Sequence, residues 1–106
     1  MQPRLFKMAN GHLTLEFDAY DSDLWRAVGA YLEDVLGFDR RGETFDGWDE
    51  GIVKSFQRDS LLLKAGWSHW ADGDYLQSDS CSGDELLSKL FAAIKPDLSF
   101  RPIQDQ

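Results

Sequence analysis

The run IVKSFQRDSLLLKAG, residues 52–66, holds two segments rich in aliphatic and β-branched side chains around a polar stretch, residues 57–60. Apolar segments of this length separated by polar turn formers predict an antiparallel β-hairpin. The pattern does not decide which residues of the second strand face the core. Leu61, Leu62 and Leu63 are consecutive, and such a run also fits a strand that is covered on both sides. Working outward, residues 71–73 predict a turn and residues 74–78 a further strand.

A second hairpin is predicted near the start of the chain. Asn10-Gly11 favours the positive φ angles of a two-residue type I′ turn. Such a turn pairs Met8 with Leu13 and Phe6 with Leu15. It therefore places a set of apolar side chains on one face of the sheet, namely Phe6, Met8, Leu13, Leu15 and Phe17.

An amphipathic helix is predicted over residues 22–36, where apolar residues recur at three- and four-residue steps. Asp21 or Ser22 is expected to cap its first turn, and Gly37 stands where a left-handed residue ends a helix. The following residues, 38–50, show no clear period, so a loop of about a dozen residues is expected there.

A second helix is predicted after residue 82. Ser82 and Glu85 have the spacing of a capping box, and Lys95-Pro96 is expected to end the helix. The remaining residues, 97–106, predict an extended C-terminal tail, with Phe100 and Ile103 as its anchors.

The element order ββαβββα predicts the α+β class. Consecutive strands are close enough in sequence to pair as hairpins, so we expect a mainly antiparallel five-stranded sheet with both helices on one face, a two-layer sandwich. A length of 106 residues fits a single domain spanning residues 1–106.

Composition narrows the classes of partner. Eleven Lys and Arg against nineteen Asp and Glu give a net charge of -8, which repels nucleic acid and favours a basic protein partner. A single cysteine, Cys81, excludes an intramolecular disulfide, although its own reactivity stays open. No apolar run has the length of a membrane span, so we expect a cytoplasmic protein, either monomer or homodimer.

Residues that carry catalysis are few. His12 and His69 are the only histidines. His69 with Asp72, Asp74 and Asp79 offers possible metal ligands, but the spacing matches no EF-hand loop. We therefore expect no enzyme activity, no metal and no cofactor. A small metal-dependent hydrolase that uses His69 with Asp72 or Asp74 is the alternative.

Aromatic and acidic residues concentrate in the middle of the chain, where three of its four tryptophans lie. Large aromatics among acids suit an interface in which an indole is desolvated while carboxylates meet Lys or Arg. The same rings could instead fold back onto the core. The expected partner-binding residues are Glu43, Phe45, Asp46, Trp48, Asp49, Glu50, Trp67, His69, Trp70, Asp72 and Asp74.

These features together predict a non-catalytic protein-binding module that occludes a basic partner. In size, acidity and scarcity of catalytic motifs the chain is similar to small bacterial immunity proteins, which neutralise cognate toxins, often nucleases with basic active sites. The resemblance implies an antitoxin-type inhibitor. A structural or ligand-binding subunit of a homo-oligomer is a further alternative.

Overall fold

A computed structural model of the protein describes residues 2–94, 97 and 99–102. Within these residues the chain forms seven strands and two helices. The strands are β1 (Arg4–Lys7), β2 (Leu13–Glu16), β3 (Asp39–Arg41), β4 (Phe45–Asp46), β5 (Glu50–Arg58), β6 (Leu61–Ser68) and β7 (Gly73–Ser78). The helices are α1 (Asp23–Ala30), which continues into a π-helical turn (Tyr31–Val35), and α2 (Cys81–Ala93).

All strands belong to one antiparallel sheet in the order β1-β2-β7-β6-β5-β3, and β4 pairs with another part of β5. The predicted α+β class is confirmed. The predicted count of five strands is wrong, because β3 and β4 lie within residues 38–50, which were expected to be a loop. Both strands are short and mostly exposed at the sheet edge, so they carry no apolar period that a sequence pattern could reveal.

The first hairpin has a different register from the one predicted. Lys7 pairs with Leu13, one residue away from the expected partner. The amide of Gly11 donates to the Met8 carbonyl at 2.9 Å and Gly11 has a φ of 87°, so the loop contains three residues and ends on a left-handed glycine. As a result Phe6 and Met8 lie on the face opposite to Leu13, not beside it.

The start and end of the first helical segment follow the prediction. The Ser22 hydroxyl accepts a hydrogen bond from the Trp25 amide at 3.1 Å, which satisfies one of the free amides of the first turn. In the last turn, the Leu36 amide donates to the Tyr31 carbonyl, a π-type bond. Gly37 then adopts a φ of 77° and ends the segment.

The second helix begins two residues earlier than predicted. Ser80, not Ser82, is its N-cap, and the Ser80 hydroxyl accepts from the Gly83 amide at 3.1 Å. The Ser78 side chain fixes this turn through hydrogen bonds to the backbone of Ser80. Two serines have compatible spacing, and the contact with Ser78 selects the first. The predicted stop at Lys95-Pro96 lies outside the described residues.

Among the described residues after α2, Phe100 returns to the helical layer. Phe100 packs edge-on against Tyr31, with ring centroids 5.2 Å apart, and forms an isolated bridge with Ile94. Its predicted role as an anchor is confirmed, whereas Ile103 is outside the described residues.

One hydrophobic core lies between the helices and one face of the sheet, as predicted. We call this the covered face and the other the open face. The predicted hairpin of β5 and β6 is confirmed, with Leu61 and Leu63 on the covered face and Leu62 on the open face. The fully buried large side chains are Val28 and Leu32 from the first helical segment, Leu87 and Leu90 from α2, and Leu15, Phe56, Leu63 and Leu76 from the sheet.

Candidate functional site

Two turns meet at one end of the sheet. The β4–β5 turn is closed by the Gly47 amide, which donates to the Glu50 carbonyl at 2.8 Å. The β6–β7 turn is closed by the Asp72 amide, which donates to the His69 carbonyl at 3.2 Å. A third bond, from the His69 amide to the Asp49 carbonyl at 2.9 Å, joins the two turns side by side. We call this region, residues 45–50 and 69–72, the turn-end surface.

Two indoles of the turn-end surface face solvent. Trp48 is 95% exposed and Trp70 is 84% exposed, and Phe45 nearby is 60% exposed. A ring of this size is usually packed against the protein, so two almost free indoles on adjoining turns form an uncommon concentration of exposed apolar surface. For Trp48 and Trp70 the structure decides between the two alternatives that the sequence left open, in favour of the surface.

Carboxylates surround these indoles. Asp46, Asp49, Glu50 and Asp72 are all exposed, and none of them forms an ion pair with any residue in the described part of the chain. Glu43, just before β4, shares both properties. The negative charge of the turn-end surface is therefore not neutralised locally, and it adds to the field of a chain whose net charge is already -8.

Trp67 and His69 form an aromatic cluster with Tyr20 that adjoins the turn-end surface through His69. The Tyr20 hydroxyl donates to the Ser68 carbonyl at 3.3 Å and lies 3.2 Å from His69 Nδ1, while the Trp67 ring is 6.2 Å from the Tyr20 ring. Trp67 is half-buried and pairs across the strands with Gly51, where an added Cβ would collide with the indole. Trp67 therefore has a packing role that Trp48 and Trp70 do not have, and Tyr20 is a neighbour that the sequence did not reveal.

Asp74 does not belong to the exposed surface on which the sequence placed it. Its residue is only 7% exposed, and its carboxylate accepts a hydrogen bond from the Asp21 amide at 2.6 Å. Burial raises the pKa of Asp74 above its ordinary value, although the bond from Asp21 opposes that shift. Its backbone also bonds to Phe17 and Ala19. Asp74 thus fixes the loop between β2 and α1, and it has to be removed from the predicted partner-binding set.

The possible metal ligands do not converge. Within the described residues, no three His, Cys, Asp or Glu side chains are placed to hold a metal ion together. The His69 ring contacts the Tyr20 hydroxyl, and the Asp74 carboxylate accepts a hydrogen bond from the Asp21 amide. His12 is paired with Asp84, with Nδ1 2.9 Å from the carboxylate. These contacts add no support to the alternative of a metal-dependent hydrolase.

The open face carries a cavity that sequence reasoning missed. It has a volume of about 250 Å³ and is lined by Phe6, Met8, Thr14, Glu16, Glu50, Ser68, Trp70, Tyr75 and Gln77. Glu50 and Trp70 are also part of the turn-end surface, so the cavity and that surface are continuous. The incorrect hairpin register hid it, because it assigned Phe6 and Thr14 to opposite faces. The dipeptide Asn10-Gly11 is equally compatible with the three-residue loop that the structure contains.

The polar groups of this cavity differ in whether they have an ion-pair or hydrogen-bond partner within the described chain. Arg4 forms an ion pair with Glu16 at 2.6 Å. Burial raises the pKa of Glu16, and Arg4 opposes the shift. Burial also raises the pKa of Tyr75, and the charge of Glu50 adds to that effect. Thr14 is 2% exposed, and its hydroxyl oxygen has no hydrogen-bond partner in the part of the chain that the structure describes.

No protein-family model, curated protein or solved structure matches this chain. None of the helices in the described residues is long and apolar enough to cross a membrane.

Proposed function

We propose that the protein is a non-catalytic binding module that docks a basic protein partner on the turn-end surface. The observation that carries this proposal is the hydrogen bond between His69 and Asp49, which brings Trp48 and Trp70 together at one end of the sheet, both almost fully exposed, among carboxylates without ion-pair partners in the described chain. Neither indole is needed to complete the core.

The energetics of association favour this arrangement. An aromatic side chain buries roughly 150–250 Å² when it is covered, and tryptophan is enriched among the residues that dominate binding energy. Asp46 and Asp49, which lie within two residues of Trp48 in the chain, attract a cationic partner and set its orientation before the rings are covered. Trp48 and Trp70 therefore supply affinity in the proposal, and the acids supply association rate and selectivity.

Occlusion is the proposed mode of action. Asp46, Asp49 and Glu50 pair with Lys or Arg side chains that the partner uses to bind phosphate or to perform catalysis, so the partner loses access to its own substrate. This is the mode expected of an antitoxin-type inhibitor of a nuclease toxin, and the acidity of the chain supports it. A cytoplasmic setting belongs to the same proposal, since the sole thiol, Cys81, is free and exposed.

A pair of charge-reversal variants tests the proposal. In the first, Asp46→Lys is combined with Asp49→Lys. The matched control combines Asp34→Lys with Glu85→Lys, which changes the net charge equally at exposed positions on the helical side. Each protein is immobilised, exposed to lysate of its native host, and the captured proteins are identified by mass spectrometry at low and high salt.

The expected result is a basic protein that the wild type and the control variant retain and that the first variant loses. Its dissociation constant, measured by calorimetry, should rise at least about tenfold in the first variant, and salt should weaken binding. If both variants lose the captured protein equally, net charge alone explains the effect. If both variants retain it equally, the turn-end surface does not take part in the interaction. Either result contradicts the proposal.

A further inference from the structure

We infer that the cavity on the open face is a pocket for one arginine side chain of the basic partner. The inference rests on the proposed function and gives the turn-end surface an anchor point, because Glu50 and Trp70 belong to both. Its support comes from the size of the cavity, its charge, one unsatisfied hydroxyl group and its aromatic walls.

The size of the cavity suits a side chain. Its volume of about 250 Å³ is below the range of about 300–1,000 Å³ typical of pockets for drug-sized molecules. Its floor consists of strand residues that point away from the core, and Trp70 and Tyr75 are among the residues that line it. An elongated group of a few atoms can therefore enter from solvent without any movement of the sheet.

The charge of the cavity is that of a site for one cation. Two carboxylates line it, but Arg4 already neutralises Glu16. Glu50 has no ion-pair partner within residues 2–94, 97 and 99–102. It also lies near enough to Tyr75 for its charge to raise the pKa of the phenol. One uncompensated carboxylate thus faces a cavity that one cationic head group can occupy.

Thr14 supplies the second, independent observation. It lies on β2 between Phe6 and Gln77, its partners on β1 and β7, and its side chain lines the cavity. Its hydroxyl oxygen is buried without a hydrogen-bond partner among the described residues, an arrangement that costs free energy in a folded protein. In the proposal, the side chains around Thr14 shift on binding, as interface side chains commonly do, so that a donor in the cavity reaches this oxygen and removes that cost.

The number of acceptors distinguishes arginine from lysine. Four residues that line the cavity, Glu50, Thr14, Ser68 and Gln77, carry side-chain oxygens that can accept hydrogen bonds, and that of Ser68 already accepts from the Ala71 amide. A guanidinium group has five N–H donors in a planar fork and stacks well on aromatic rings, whereas an ammonium group has three donors and no flat face. The walls formed by Phe6, Trp70 and Tyr75 provide such rings.

The test is a titration of isotope-labelled protein with capped tripeptides, followed by nuclear magnetic resonance of the Thr14 and Gln77 amides and the Trp70 indole. The probes are acetyl-Gly-Arg-Gly-amide, its lysine analogue and its citrulline analogue, which has the shape of arginine but no charge. The variants are Thr14→Val and Glu50→Gln, with Glu85→Gln on the opposite side of the molecule as control.

The arginine peptide is expected to give saturable shifts confined to the cavity. The citrulline peptide, and either cavity variant with the arginine peptide, should bind about tenfold more weakly, as expected for a lost hydrogen bond to a charged group. The control variant should bind like the wild type. Spectra of Thr14→Val should show an intact fold, and its melting temperature should be equal or higher, since valine has the same shape and removes the unsatisfied hydroxyl.

Several outcomes overturn the inference. Equal binding of the citrulline or lysine peptide removes the case for a guanidinium. A dimer, shown by sedimentation, that must dissociate before the peptide binds assigns the open face to a second copy. If no peptide binds, the cavity is not an arginine pocket. The proposed function still stands in that case, provided that Asp46→Lys with Asp49→Lys abolishes capture of the partner. If the peptide binds but capture ignores that charge reversal, the proposed function fails.

Discussion

On the covered face of the sheet, Leu15, Leu63 and Leu76 are fully buried, whereas on the open face Phe6 and Phe45 keep 41% and 60% of their surface exposed. The same strands supply both faces, because successive side chains point to opposite sides. The covered face has therefore used its apolar surface for folding. The open face retains apolar surface that contributes little to the stability of the free protein and remains available for association.

The two faces also differ in their polar groups. On the covered side, the Asp74 carboxylate accepts from the Asp21 amide and the Ser78 hydroxyl donates to the Ser80 carbonyl. On the open side, Thr14 is just as buried, yet its hydroxyl oxygen has no hydrogen-bond partner within residues 2–94, 97 and 99–102. Buried polar groups in a protein interior are usually all hydrogen-bonded. The open face has a buried polar group that is not, which is the condition expected of a surface whose hydrogen bonds are made with a partner.

The largest expected difference between the faces comes from adjacent residues of β6. Leu63→Ala on the covered face should lower the free energy of unfolding by about 2–5 kcal/mol, because it leaves a cavity in a packed core. Leu62→Ala on the open face should cost less than about 1.5 kcal/mol, since Leu62 is half-buried and solvent can fill the space. Urea denaturation measures both. Equal costs would show that the open face is packed as tightly as the core.

Asp74 tests whether the buried polar group of the covered side is structural. Asp74→Ala removes the acceptor of the Asp21 amide and should destabilise the protein by about 1–3 kcal/mol. Asp74→Asn keeps an acceptor oxygen, so it should remain within about 1 kcal/mol of the wild type. If both variants are equally destabilised, the charge itself matters, and the hydrogen bond alone does not explain the position.

The wild type and Asp74→Asn should also differ in how their stability depends on pH. The pKa of Asp74 in the folded protein lies above its ordinary value of 3.8, so near that pH the folded state binds more protons than the unfolded state. Its contribution therefore lowers stability as pH rises from 3.8 through the folded pKa. Asp74→Asn should lose this slope. The measurement is the difference in unfolding free energy between wild type and Asp74→Asn from pH 3.5 to 7.

The sequence predicted the covered face better than the open face for a physical reason. Burial on one side leaves a period of apolar residues, which located the helix capped by Ser22. The buried strands β5 and β6 were located by their apolar segments on either side of a polar turn. The open face has no such requirement, and one additional residue in the loop at Gly11 was enough to move Phe6 from the predicted core face to the open face, beside Thr14. The short strands β3 and β4 left no period at all.

The candidate site could be predicted in composition but not in arrangement. The abundance of acids and aromatics in the middle of the chain is evident from the sequence, but composition alone does not distinguish Trp48 and Trp70 from the half-buried Trp67. One signal was available. Gly51 and Gly66 lie within strands, and strand glycines often mark the close approach of a ring. Trp67 and Tyr75 occupy those places, opposite Gly51 and Gly66 respectively.

The smallest expected effect concerns the exposed indoles, and it is informative because it is small. Trp48→Ala and Trp70→Ala should each change the free energy of unfolding by no more than about 0.5 kcal/mol, as for other surface positions. Trp67→Ala should cost clearly more, because it uncovers Gly51 and removes a neighbour of Tyr20. Thermal and urea unfolding of the three variants measure this order.

A cost for Trp48→Ala equal to that for Trp67→Ala would mean that Trp48 packs against the protein in solution, and the turn-end surface would lose one of its two anchors. Little change in stability for Trp48→Ala and Trp70→Ala, together with weaker capture of the basic partner, would separate the residues that fold this protein from those that bind.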